Sequence, residues 1–456
     1  MVSQKMPLDS KFAALLVLYV GCVSPFLLQP DDGCPASYPC RCQGDSIQCG
    51  QAQLKTIPTF TPSHKSWTLF LNYNSISVIP DNAFKDIKIK ELIMDMMNLL
   101  KPVTISNNAF QGQEATLNKL SMVNCGLTSL PPAFRKLNAL TDLALDGNAI
   151  SQWDDNAMRT LGRGLTRFSA RSFSGTSYAW PRQFAYMRRL EFLDLSYSPR
   201  FVPDLDKFVV LNDTLTKLIL TSMGMTEVPD VLKHLPKLTE IDMGKNKLTE
   251  RSIKTDSFTS QTKLQFLTIS YNQLNAMPDG LSNLKTVTYL DISGNPMTTM
   301  DTSKLPTGIV RLIANHGNLK TIPANLQRLT KLEELNMYTN HIAAIGEKDI
   351  SHLPNLKTIF LGQNYLTSPL SANALNGDTN LEQLSLEFNR RNNVTFSFSI
   401  IRSLPKLLYL TVEHPRCTCS ADVPQWWSGL TKKPDLSGHC LNTSKRMKDL
   451  LTTCQP

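Results

Sequence analysis

The chain has 456 residues, 47 Lys and Arg against 38 Asp and Glu, a formal charge of +9 and ten cysteines. With 41% hydrophobic residues it is long enough and apolar enough for a large ordered core, which excludes a disordered tail. A basic excess this mild over such a length does not point to nucleic acid as a partner.

Lys5 and Lys11 precede the apolar run from Phe12 to Val23, the basic and hydrophobic pattern of a secretory signal peptide. Pro25 interrupts the run, and a mature start near residues 22 to 30 is expected, with residues 1–24 as the leader; a retained signal anchor is the competing reading. No later segment has the roughly 18 consecutive apolar residues of a membrane helix, so no membrane span is expected.

Residues 25–65 hold four cysteines, Cys34, Cys40, Cys42 and Cys49. From Ser66 to His414 one phrase then recurs fifteen times, apolar at positions 1, 4, 6, 11 and often 14, with a small or polar residue at position 9. The copies start at 66, 89, 117, 140, 165, 190, 215, 238, 264, 287, 309, 332, 356, 381 and 407, in steps of 22 to 28 residues. That period predicts an α/β repeat fold, a leucine-rich-repeat solenoid or horseshoe with a parallel concave sheet and disulfide caps. Positions 1, 4 and 6 are expected to form one short strand whose inward side chains stack from coil to coil, because no single repeat buries its apolar face alone.

Position 9 is Asn at 74, 148, 246, 272, 295, 340, 364 and 389, and an amide that both donates and accepts there can tie a turn to the neighbouring coil. Cys125 occupies the same slot and reads as a buried structural thiol. Returns such as Val228-Pro-Asp-Val-Leu232 and Met277-Pro-Asp-Gly-Leu281 put proline after position 14, where it ends strand pairing and opens a short helical or irregular convex segment. Coils five to seven carry Phe173, Ser198 and Met223 in the Asn slot, and a local change of curvature is expected there.

Residues 415–456 hold Cys417, Cys419, Cys440 and Cys454. Lys432, Lys433, Lys445, Arg446 and Lys448 make this end locally basic, and Trp426 and Trp427 are expected to pack the lid on the last coil. The two cysteine clusters resemble the N- and C-terminal capping modules of animal extracellular leucine-rich-repeat proteins, including Slit, Toll ectodomains, the small leucine-rich proteoglycans and lamprey variable lymphocyte receptors. The resemblance implies bridges Cys34 with Cys42, Cys40 with Cys49, Cys417 with Cys440, and Cys419 with Cys454. A zinc site is the competing reading of Cys-x-Cys, but zinc modules want Cys-x2-Cys pairs or added histidines, so no metal and no cofactor is expected. Asn212, Asn393 and Asn442 each begin an Asn-x-Ser/Thr sequon, the acceptor of N-glycosylation in a secreted chain.

No catalytic motif is present: the seven histidines are scattered, and nucleophile-elbow and phosphate-loop patterns are absent. Binding is the expectation, since fifteen strands roughly 4.8 Å apart make a concave wall on the order of 70 Å along its arc. Positions 2, 3, 5, 7 and 8 are expected to project onto it, which offers Phe192, Asp194 and Tyr197 in coil six and, as the preferred ligand site, Phe266, Tyr271, Tyr289, Asp291, His316, Tyr338, Phe360 and Phe388 in coils nine to fourteen. The expected role is a secreted, non-enzymatic recognition protein for an extracellular protein or glycan. The alternative is a non-catalytic carrier beside a partner subunit of a secreted enzyme complex.

Overall fold

The computed structural model describes residues 33–453 apart from 98–100, 173–180, 200–207, 368–371, 376–377, 390–394, 398, 413–415, 419–426, 431 and 441–444. The expected leader therefore lies outside the described residues, as do Phe173, Trp426, Cys419, Cys454, Asn393 and Asn442.

Each of the fifteen phrases carries a strand, and all fifteen pair in parallel with their sequence neighbours, from Ser66–Phe70 to Tyr409–Thr411. The periodic leucines explain this arrangement. Position 4 of every coil points inward and stacks on its counterparts: Leu120, Leu143, Phe168, Leu193, Leu335 and Ile359 are all at most 1% exposed. The regular strand is narrower than the sequence suggests, spanning positions 3 to 5 in most coils. Position 1 precedes it, and position 6 follows it while still donating to the next coil, as Leu145 does to the Ser169 carbonyl at 2.9 Å. One register shift interrupts the ladder, between Trp67 and Thr68 where the first two coils meet. Through coils five to seven, which lack the Asn, and on into coil eight the strands stay in register, with Phe168, Leu193, Leu218 and Ile241 side by side.

The Asn column closes the open backbone of each turn. The Asn148 amide donates to the carbonyls of Met122 (2.8 Å) and Leu145 (2.9 Å), and its Oδ1 accepts from the N–H groups of Cys125 (3.1 Å) and Leu127 (3.0 Å). Asn74, Asn246, Asn272, Asn295, Asn340, Asn364 and Asn389 are likewise buried and tied to the neighbouring coil. Buried amides left unpaired would each cost about 1–3 kcal/mol, so this column contributes heavily to stability. Cys125 is a buried free thiol whose Sγ–H donates to the Met94 carbonyl at 3.0 Å, and burial pushes its pKa up to about 12. A thiol so reluctant to ionise is structural rather than reactive.

Prolines open the convex returns as 3-10 turns at Pro132–Lys136, Arg182–Tyr186, Asp230–His234 and Asp279–Asn283. In coil four the return is an α-helix, Asp155–Gly164, whose N-cap Asp154 accepts from the Ala157 N–H at 2.8 Å. Phenylalanines fill the space behind the sheet: Phe60, Phe84, Phe110 and Phe134 form a chain of ring contacts 5.8 to 6.5 Å apart.

Disulfides Cys34–Cys42 and Cys40–Cys49 staple the N-terminal module, whose Ser46–Gln48 strand pairs with the first coil and covers that sheet edge. At the other end Asp435–Ser437 pairs with the last coil, Cys417–Cys440 ties the module together, and Trp427 is buried in the core. An exposed parallel edge would invite pairing with other chains, which explains why each end carries a lid.

Candidate functional site: the concave strand face and its exit rim

Position 3 of each strand faces outward, and parallel pairing sets these side chains in one row across the sheet. From coil four the row reads Asp142, Arg167, Phe192, Lys217, Glu240, Phe266, Tyr289, Arg311 and Glu334, each directly opposite the next. Neighbours along it interact. Arg167 bridges Asp142 at 3.4 Å and lies 4.1 Å over the Phe192 ring, which Lys217 approaches at 5.8 Å from the other side. Lys217 in turn bridges Glu240 at 2.6 Å. The Phe266 and Tyr289 rings are 5.9 Å apart, Arg311 sits 5.6 Å over Tyr289, and Arg311 bridges Glu334 at 2.6 Å. Half-burial, and secondarily the Asp291 carboxylate, raise the Tyr289 pKa. Exposed ion and cation-π pairs contribute only about 0–1 kcal/mol each, so the row is an ordered surface more than a source of stability.

Position 5 behaves differently. Asp194, Asp242 and Asp291 each accept a backbone N–H two residues on, from Ser196 (2.9 Å), Gly244 (2.7 Å) and Ser293 (2.9 Å). These carboxylates shape the turn that leaves the strand. Burial, followed by the neighbouring Asp291 and Asp194 charges, raises the Asp242 pKa. Asp291, expected as a ligand contact, therefore has a structural task on one of its oxygens.

Position 8 holds an unanticipated regularity. In each of the first fourteen coils this residue is left-handed, with φ between 51° and 67°. Two are glycines, Gly147 and Gly294; the others include Lys245, Tyr271, His316, Thr339, Gln363 and Phe388. In coils one to thirteen their N–H groups still continue the ladder, from Tyr271 to the Ser293 carbonyl (2.6 Å) and from His316 to that of Tyr338 (2.9 Å). Tyr271 is 46% exposed, and its ring occupies the space over Gly294, where an added Cβ would come within 2.4 Å of it. Tyr338 is set over Gly362 in the same way, at 2.6 Å. Both tyrosines thus lean across a neighbouring coil that makes room for them.

The expected site residues fall into three groups. Phe266 and Tyr289, with Asp291 on the next outward position, lie on coils nine and ten together with Tyr271. Tyr338 and Phe360 belong to coils twelve and thirteen, separated from the first group by coil eleven with Arg311 and Ile313. His316 and Phe388 both line an open cleft of about 440 Å³ at the exit rim, with Gly317, Thr339, His341, Gln363, Tyr365 and the buried Asn340 and Asn364. Sequence reading missed His341, Tyr365 and Gln363, because position 10 was not counted among the outward positions and Gln363 is neither aromatic nor charged. The available signal was Gly317 in an Asn slot. Arg167, Lys217 and Arg311 were also missed, though their alternation with aromatics along position 3 is visible in the sequence.

Residues 330–390 match the family model described as Leucine rich repeat. Among curated proteins, bovine (Bos taurus) lumican is 27% identical over 277 residues, covering 58% of this chain and 72% of lumican. Human (Homo sapiens) podocan-like protein 1 is 23% identical over 368 residues, covering 73% and 69%, and chicken (Gallus gallus) fibromodulin is 26% identical over 291 residues, covering 63% and 70%. The fold is a leucine-rich-repeat solenoid with disulfides in its N-terminal and C-terminal regions. Among solved structures, this leucine-rich-repeat protein shares its fold with the Leptospira interrogans protein LIC12759 (TM-score 0.60, 20% identity, 81% of this chain and 95% of that one). It also resembles a chain in the Toll–Spätzle complex of Drosophila (TM-score 0.53, 18% identity, 83% and 53%).

Among the described residues no group of His, Cys, Asp and Glu is placed to hold a metal ion, and no helix is long and apolar enough to cross a membrane. Asn212, the one described sequon asparagine, follows the 3-10 turn Val209–Leu211 on the convex return and is half-buried. In the C-terminal module Lys432, Lys433, Lys445, Arg446 and Lys448 are exposed, and Arg446 pairs with Asp449 at 2.9 Å.

Proposed function

We propose that this is a secreted, non-enzymatic recognition protein that binds an extracellular protein or glycan on its concave face, through coils nine to thirteen. The observation that carries the reading is the outward row in which Phe266 and Arg311 flank Tyr289 on adjacent strands. Aromatic and arginine side chains dominate the energetics of recognition, and holding them on a sheet removes most of the ordering cost of binding. Sequence similarity to lumican, podocan-like protein 1 and fibromodulin supports a role outside the cell. The signal-like leader and the disulfide-stapled ends support it too, since bridges persist in oxidising compartments.

The test is affinity capture from extracellular fluid with the wild-type protein and with a variant carrying Tyr271→Ala, Tyr289→Ala, Tyr338→Ala and Phe360→Ala. A partner retained by the wild type should be lost from the variant, with at least a tenfold drop in affinity and little change in melting temperature. If the variant binds as the wild type does while Lys432→Ala and Lys433→Ala abolish capture, the concave-face reading is wrong.

A further inference from the structure

The cleft at the exit rim of coils eleven to fourteen is chemically unlike the strand face beside it. We propose that it is a carbohydrate subsite, which takes an uncharged hexose or N-acetylhexosamine unit of a glycan. The proposal deepens the recognition reading by assigning a ligand class to a separate part of the surface.

Four observations support this assignment. The first is room: position 9 of coil eleven is Gly317 where most coils carry Asn, and a Cβ there would come within 2.8 Å of the Asn340 Oδ1. The volume of about 440 Å³ is within the range of roughly 300–1,000 Å³ typical of small-ligand sites. The second is charge. The adjoining strand rows are full of Lys, Arg, Asp and Glu, yet none of the described residues lining the cleft is one of these.

The third is planar surface. The His341 ring lies on Tyr365 with centroids 5.1 Å apart and planes 6° from parallel, and Phe388, which also lines the cleft, is 40% exposed. Rings presented on a wet rim offer the flat apolar faces on which the C–H face of a pyranose stacks. The fourth is the polar complement. The Asn340 and Asn364 amides donate to the carbonyls of Ala314 (2.8 Å) and Met337 (3.0 Å), so they belong to the backbone ladder. The Thr339 hydroxyl donates to Gln363 Oε1 at 2.9 Å, which fixes the amide and turns its NH₂ away from Thr339. Threonine Oγ1 keeps lone pairs for accepting, and Gln363 Nε2 keeps donors. Neutral donors and acceptors beside stacked rings match a sugar's hydroxyls and its apolar face. An anionic sugar would instead call for Arg or Lys.

The experiment uses the full secreted chain on an array of neutral hexose and N-acetylhexosamine oligosaccharides beside their sialylated and sulfated counterparts. Each hit is then titrated by calorimetry against wild type, Tyr365→Ala, Gln363→Ala and, as a control on the 3-10 turn Leu326–Arg328, Arg328→Ala. The expected result is binding to at least one neutral glycan, weakened tenfold or more by each rim substitution, unchanged by Arg328→Ala, and with melting temperatures near wild type. Where Tyr365→Ala lowers the melting temperature, Gln363→Ala on the surface carries the test alone. Absence of neutral-glycan binding overturns the proposal. So does binding confined to sulfated glycans, or binding indifferent to the rim changes. Loss of a captured protein partner in the rim variants without any sugar binding marks the cleft as a peptide site, which also overturns it. Failure of the strand-face reading shows separately, through capture by the fourfold strand-face variant.

Discussion

Coils three and four are adjacent, share the same apolar phrase and bury the same column, yet fill position 9 with different chemistry. Asn148 in coil four engages both its oxygen and its nitrogen, holding the turns of two coils together. Cys125 in coil three reproduces one of those links, the bond to the position-6 carbonyl of the preceding coil, with a weak S–H donor to Met94 in place of the amide that reaches Met122 from Asn148. The coil therefore needs its hydrophobic ladder everywhere, and a full amide only in some turns.

That contrast is open to direct test in reversible denaturant titrations. Leu120→Ala in coil three and Leu143→Ala in coil four should destabilise alike, by about 2–5 kcal/mol each, because both leucines are almost wholly buried at position 4. A large difference between the two would show that the apolar columns are not equivalent. Asn148→Ala should come next, at about 2–4 kcal/mol, since it strands several buried backbone groups, whereas Cys125→Ala should cost about 1 kcal/mol. Similar losses from these two changes would erase the distinction drawn between the coils. Peptide mapping of the native protein should find Cys125 unbridged.

A third buried polar slot sharpens the comparison through pH. Asp378 accepts from the Leu353 N–H at 2.8 Å through one oxygen, while its other oxygen is buried with no hydrogen-bond partner among the described residues. Burial pushes its pKa up to about 7. An acid with a folded pKa above its unfolded value binds more protons in the fold, so its contribution is fully present below about pH 4 and is lost as pH rises through 7. Asp378→Asn should therefore raise stability at pH 8 by on the order of 1–2 kcal/mol and do little at pH 4. Melting temperatures of the two proteins that run parallel from pH 4 to 8 would refute the burial argument. Thr339→Ala stands at the small end: its side chain is on the rim, bonded to Gln363, and the change should cost under about 0.5 kcal/mol.

The phase of the repeat was legible in the sequence because apolar periodicity reports burial directly, and the burial of Leu335 and Ile359 follows from it. The Asn column was legible for the same reason, an amide being the natural partner for buried backbone. The left-handed turn at position 8 was not, because Lys245 and Tyr271 have no preference for that conformation and adopt it where their N–H groups reach the next coil's carbonyls. Nor was the way Tyr271 and Tyr338 lie over Gly294 and Gly362 in the following coil, since the partners are more than twenty residues apart and share no pattern within either phrase. Aromatics were identified one at a time, so the Arg167 and Lys217 flanks of Phe192 went unread until strand register set them side by side.

The left-handed residue at the first fourteen strand exits has a consequence for how this surface changes over time. An L-residue held there costs roughly 1–2 kcal/mol relative to a right-handed conformation, a strain that glycine avoids. Most of these positions nevertheless keep a side chain, from lysine to phenylalanine. Because the strain belongs to the backbone and is nearly the same for each unbranched side chain, one can replace another at little thermodynamic penalty. The row thus behaves as a line of interchangeable type set in a fixed frame, and drift along it alters what the molecule meets without altering how it folds.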